Sequence, residues 1–241
     1  GDIVFANLAF FAGVSILATL ATVAAFLFAQ SVPAFTGPPI DAASEGFFSY
    51  VLPFVFGTVY ASALGLAIAT PLAVGIALYI SHFANRRFAQ VLGYAVDLLA
   101  AIPSVVYGFW GILVLAPFLS PTFNWLNANL GWIPMFAGQV SATGRTMLTV
   151  GIVLAIMVLP IMAALIREIF LRTPRIHEEA ALALGATRWE MIKMAVLPFV
   201  RPGIISAAMI GLGRALGETM AVAMVLSPSA VISFAVLTST N

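Results

Sequence analysis

The stretch GIISAAMIGLGRALGETMAVAMVL, residues 203–226, decides what kind of protein this is. As a helix it is long enough to cross the roughly 30 Å hydrocarbon core of a bilayer, yet it carries Arg214 and Glu218 one helical turn apart. A charge at the centre of a membrane helix costs about 2.5–3.5 kcal/mol on insertion scales, so an intramembrane arginine and glutamate are functional-site candidates by default. The i, i+4 spacing predicts that both lie on one helix face, with Gly211 alongside, Arg214 at mid-span and Glu218 one turn nearer the outside. Gly213 and Gly217 make a small-xxx-small pair that lets another backbone approach closely.

Working outward, further apolar runs cover residues 8–28, 52–80, 91–118 and 146–166. The whole chain is 62% hydrophobic and 8% charged, with a mean hydropathy of +1.10, where soluble domains carry about a quarter charged residues. Backbone amides in lipid must be paired within the segment, and barrel-like alternation is absent, so the expected fold class is an all-α polytopic membrane protein with five spans. It reads as one transmembrane domain over residues 1–241. Pro71, Pro103 and Pro160 fall inside spans, where each removes a backbone bond and invites a kink. Trp110, Trp125 and Trp132 fall near expected outer ends, as interfacial anchors do. The first run lacks a basic flank and is too long for a signal-peptide core, so it reads as a span. The chain starts without methionine and stops after an outward-going helix, a pattern expected of trimmed ends.

Basic residues set the expected orientation. Arg86 and Arg87 follow the second run, and Arg167, Arg172, Arg175, Arg188, Lys193 and Arg201 follow the fourth, whereas the intervening loops contribute only Arg145. The positive-inside rule then puts the N-terminus and the loop 167–201 in the cytoplasm. Within that loop, Thr173-Pro174 is a helix start, Gly185 a left-handed stop, and Thr187 with Glu190 a capping box opening a second helix that runs to Leu197-Pro198. The result expected is two short helices at an angle outside the membrane.

Several function classes are excluded. The net charge of +1 gives no nucleic-acid surface, and a helix pair tethered between membrane spans with mixed charge is no DNA reader. There is no cysteine, and His82 and His177 have no companions at metal-ligand spacing, so both read as solvated loop residues. The glycine string lacks the preceding strand of a dinucleotide site, and no phosphate-cradling Gly-x-x-x-x-Gly-Lys-Ser/Thr motif occurs, which assigns any ATP chemistry to another polypeptide. Asp97, near the cytoplasmic end of its run, suits packing or loop contact better than transport. Arg214 suits an oxyanion because a guanidinium fork donates two parallel hydrogen bonds and stays charged. The plainer alternative is an ion pair with Glu218 that only tethers the helix.

The loop residues Glu179-Ala180-Ala181, Gly185 and Leu197-Pro198 resemble the docking loop of ABC-importer permeases, with Ala195 where that family carries isoleucine. The runs from Asp97 through Pro103, Tyr107 and Trp110, and from Gly211 through Arg214, Gly217, Glu218 and Thr219, resemble the phosphate-transport branch of that family; the branch commonly has glutamate in place of Asp97. The resemblance implies a type I ABC importer permease fold with a sixth helix beyond the end of this chain. It implies that Glu179, Ala180, Ala181 and Gly185 dock a cytoplasmic ATPase dimer, and that Arg214 and Glu218 line the substrate pathway. It also implies a second permease subunit, an external phosphate-binding protein and phosphate as cargo in a bacterial or archaeal cytoplasmic membrane, with ATP and Mg used by the partner and no cofactor or enzymatic activity in this chain. Other oxyanions, such as sulfate or molybdate, and an ion-coupled secondary transporter are the alternatives.

Overall fold

The computed structural model describes residues 2–36, 47–226 and 234–238. They fall into two compact units, Gly1–Pro53 and Phe54–Asn241. The first holds α1 (Asp2–Thr36), whose apolar side chains are exposed along its length, and the opening of α2 (Phe47–Leu78). Part of the stretch between the first two apolar runs lies outside the described residues.

The second unit continues α2 through a wide π turn, Tyr79–Phe83, and adds α3 (Arg86–Ala100), α4 (Ser104–Trp110), α5 (Ala116–Leu130), α6 (Met147–Leu171), α7 (Arg175–Ala183), α8 (Arg188–Met191), α9 (Leu197–Leu216) and α10 (Met220–Val225). Five helices are long and apolar enough to cross a membrane: Ile3–Pro33, Phe47–Phe83, Ser104–Leu130, Met147–Leu171 and Arg188–Leu216. Among the described residues there is no β-strand, only an isolated bridge between Val140 and Thr238. The chain is a multi-pass helical membrane protein.

Two spans lie elsewhere than hydropathy placed them. The expected third, 91–118, is cut in two. Asn85 opens α3 by accepting a hydrogen bond from the Phe88 amide at 3.0 Å, and α3 ends at Ala100, shortly before Pro103, which disfavours helical backbone in the residue before it. Pro103 therefore starts α4 instead of kinking a span, and the membrane helix runs from Ser104 to Leu130. Trp125 and Trp132, the latter two residues beyond the helix, stay near one end, but Trp110 is the seventh residue of the helix.

The expected fifth, 203–226, shifts the other way. Helix α8 does not end at Leu197-Pro198 but passes through a second wide turn, Ile192–Val196, directly into α9. A third wide turn, Gly111–Leu115, joins α4 to α5. Pro117 and Pro198 each stand two residues after such a turn. A proline ring collides with the carbonyl four residues back in an α-helix, and a π turn widens the backbone at that carbonyl, so the helix proceeds without stopping.

Helix α6 is the axis of the second unit: Val150, Leu154, Met157, Val158, Met162 and Ile166 are all nearly inaccessible. Lipid supplies no hydrophobic force between helices, so close packing must, and small residues permit it. Buried Ala61, Ala69, Ala73 and Ala77 recur at four-residue intervals or their multiple along α2. A Cβ on Gly65 would stand 3.1 Å from Leu154 Cβ, and one on Gly151 would stand 3.0 Å from Leu64 Cβ. The two helices thus cross on glycines.

At the other end of the bundle Gly144, at φ +70°, brings its carbonyl to the Thr149 hydroxyl at 2.6 Å, and Thr146 caps α6. A Cβ there would collide with the Ala116 carbonyl oxygen. Gly144→Val is expected to destabilise the bundle by about 3 kcal/mol or more, from left-handed backbone plus overpacking. Its thermal unfolding in detergent checks this, and a midpoint equal to wild type would refute it.

Candidate functional site

The Arg214–Glu218 region is a break between two helices instead of the middle of one. Helix α9 ends at Leu216, and Gly217, the poorest helix former after proline, turns there with its amide bonded to the Gly213 carbonyl at 3.1 Å. Helix α10 begins after Thr219, and the Glu218 carboxylate accepts the Ala221 amide at 3.1 Å. Arg214 lies in the last turn of α9. Each charge therefore faces the helix end whose partial charge opposes it, an arrangement worth about 0.3–1 kcal/mol per charge in exposed settings.

Among the described residues, no ion pair joins Arg214 to Glu218. The i, i+4 geometry that would bring them together needs a continuous helix, and the break removes it. Both side chains are half-buried. Arg214 Nε is buried with no hydrogen-bond partner, and its charge reaches the phenol of Tyr107, whose hydroxyl donates to the Leu99 carbonyl at 2.9 Å. A guanidinium with an unused donor is chemically able to donate a hydrogen bond to an anion's oxygen.

Among the described residues no other helix stands within 4 Å of a Cβ placed on Gly213 or Gly217, whereas Gly211 is buried and a Cβ on it would stand 2.7 Å from Met162 Sδ of α6. Gly211 is thus turned to the core. Helix α10 is held by α4, where a Cβ on Gly108 would stand 2.9 Å from Ala221 Cα.

The loop between α6 and α9 carries the other candidates. Its local turns follow the sequence: Gly185 has φ +88°, its amide bonds the Leu182 carbonyl at 3.0 Å, and the Ala186 amide bonds that of Ala181 at 3.2 Å, closing a Schellman turn. Thr187 and Glu190 form the reciprocal capping box. The start is corrected by one residue, since Pro174 occupies the cap position and the Thr173 hydroxyl is buried without a partner. Glu179, Ala180 and Gly185 are exposed and Ala181 half-buried, and Ile176, Leu184 and Trp189 stand out into solvent at 71%, 90% and 57% exposure. Apolar side chains so displayed beside a rigid turn suit a protein partner.

Two residues are placed where sequence reading did not put them. His82 is not a solvated loop residue: it lies in the wide turn ending α2, edge-on to Phe170 at 5.5 Å, with Nδ1 2.7 Å from the Ser81 hydroxyl and Nε2 3.6 Å from Glu178 of α7. It links a membrane helix to the loop. Asp97 is not in a span but on α3, with Oδ2 3.7 Å from Arg167 Nη2 of α6. No local pattern signals either contact, because each joins elements distant in sequence. His177 remains exposed on α7, its ring 6.0 Å from that of Phe199. Among the described residues no cluster of three metal-ligating side chains occurs.

The profile of the binding-protein-dependent transport system inner membrane components matches residues 69–241. A phosphate transport system permease protein PstC 2 of Mycobacterium tuberculosis is 45% identical, across 95% of this chain and 74% of its own length. The PstC protein of Mycobacterium leprae is 45% identical across 86% of this chain and 68% of its own length, and that of Xylella fastidiosa is 41% identical across 76% and 58%.

Proposed function

Since this chain belongs to the family of binding-protein-dependent transport system inner membrane components, we propose that it is the permease subunit of an ATP-driven importer of inorganic phosphate, with Arg214 as the substrate-attracting charge of its pathway. The observation that carries the reading is the buried, unpartnered Arg214 Nε at a helix break. Interrupted membrane helices concentrate charges and free backbone groups at mid-membrane ion and substrate sites. The relatives' phosphate names supply the cargo, and a guanidinium fork matches two phosphate oxygens.

The loop around Glu179, Ala180, Ala181 and Gly185 docks an ATPase dimer on the cytoplasmic side, and the exposed Leu184 and Trp189 enlarge the contact. ATP and Mg belong to that partner; this chain performs no hydrolysis. A second permease subunit packs against the open Gly213 and Gly217 face, and an external binding protein delivers phosphate. Nucleotide-driven closure of the ATPases moves α7, and His82 and the continuous helix from α8 into α9 carry the motion to Arg214. The decisive experiment is uptake of labelled phosphate into vesicles holding the assembled complex, with and without ATP; uptake indifferent to ATP would overturn the reading.

Glu218 bears on selectivity. Phosphate at neutral pH keeps a proton to donate to a carboxylate, whereas sulfate has none and meets only repulsion in a low-dielectric site. Glutamine at 218 keeps the oxygen that caps α10 while removing the charge. In a complex freed from dependence on the binding protein, Glu218→Gln is expected to lose the preference for phosphate over sulfate. Unchanged discrimination would leave Glu218 with only its capping role.

A further inference from the structure

A cavity of about 330 Å³ opens between the wide turn after α2, helix α3 and helix α6, and it shares no lining residue with the Arg214 break. Arg86, Arg167, Ser81, Gln90 and Asp97 are among the residues that line it. Arg167 is held in place but under-used. Its guanidinium lies against the α3 backbone at Gly93, in the space that a Cβ there would occupy. Asp97 approaches at 3.7 Å, beyond the range of an N–H···O hydrogen bond, and Nε is buried with no partner at all.

Two guanidinium groups against one carboxylate leave a single positive charge in the cavity. A phosphodiester carries a single negative one. The rim is apolar and outward-facing, with Tyr94 and Leu171 at 69% and 62% exposure, which suits the glycerol and first methylenes behind a headgroup. Basic pockets between membrane helices at the positively charged end of a bundle hold anionic headgroups by this combination of fixed charge and apolar wall. We propose that the Arg86 and Arg167 cavity binds a phosphate group of low charge at the membrane surface, presented by an anionic phospholipid headgroup or by inorganic phosphate. Occupancy supplies acceptor oxygens for the arginine donors that Asp97 leaves unmet and ties α3 to α6.

The test uses the assembled complex, stripped of lipid in a neutral detergent, with the thermal unfolding midpoint followed during titration. Phosphatidylglycerol is expected to raise the midpoint saturably and phosphatidylcholine not to. Arg86→Gln and Arg167→Gln should each weaken the apparent affinity roughly tenfold, the worth of one charge-assisted hydrogen bond. A parallel titration with inorganic phosphate, in an Arg214→Ala background so that the transport pathway does not contribute, separates the sources. A rise with phosphate that depends on Arg86 and Arg167, absent with phosphatidylglycerol, assigns the site to free phosphate. Should Arg167→Gln fail to assemble, Arg86, which is exposed, decides alone. No anion response that depends on these arginines, or an equal response to phosphatidylcholine, overturns the proposal and leaves Arg167 and Asp97 as a structural tether.

Discussion

Arg214→Ala is expected to cut ATP-driven phosphate uptake by the assembled complex by roughly two orders of magnitude, the loss that follows when one partner of a buried, hydrogen-bonded charge pair is removed. The structure separates this from a folding effect. Arg214 makes no ion pair among the described residues, and Glu218 is satisfied by the Ala221 amide, so alanine orphans no partner. Removing a half-buried charge with an unmet donor relieves a desolvation cost instead of adding one. The variant should therefore assemble at normal yield and unfold at or slightly above the wild-type temperature. Arg214→Lys should restore little uptake, because a compact ammonium lacks the planar fork. Near-normal uptake in a well-assembled alanine variant, or loss of assembly ahead of loss of uptake, would assign Arg214 to tethering.

Gly185→Trp should uncouple the ATPase while leaving the spans intact. No atom lies within 4 Å of where a Cβ would stand, so nothing in this chain collides with the new side chain. The cost is in the backbone, where φ is +88° and an L-residue other than glycine pays about 1–2 kcal/mol. That strain acts on the turn that sets the angle between α7 and α8. Gly185→Asn, which tolerates left-handed backbone, should keep most transport-coupled ATP hydrolysis. Normal coupled hydrolysis in a correctly assembled tryptophan variant would dissociate the turn from docking.

What was legible in the sequence is what depends on neighbours along the chain. The capping box of Thr187 and Glu190 and the left-handed Gly185 involve residues within about a turn of one another. The membrane class follows from composition alone. The third and fifth spans were misplaced because hydropathy averages over a window and does not register that Pro103 ends a helix or that Pro198, behind a wide turn, does not.

The Arg214 and Glu218 arrangement shows where local reading stops. Sequence determined that two opposite charges sit four residues apart in an apolar run, and helical geometry would then pair them. The tertiary structure instead ends α9 at Gly217, with α10 held on α4 by the close approach of Gly108 and Ala221. That contact joins residues distant in sequence, as do the pairings of His82 with Glu178 and of Asp97 with Arg167. Caps, turns and hydropathy are energies of short range along the chain, and so the sequence by itself determined them. Whether a charged pair closes on itself or stands open for a ligand depends on which helices pack behind it, and only the folded bundle decides that.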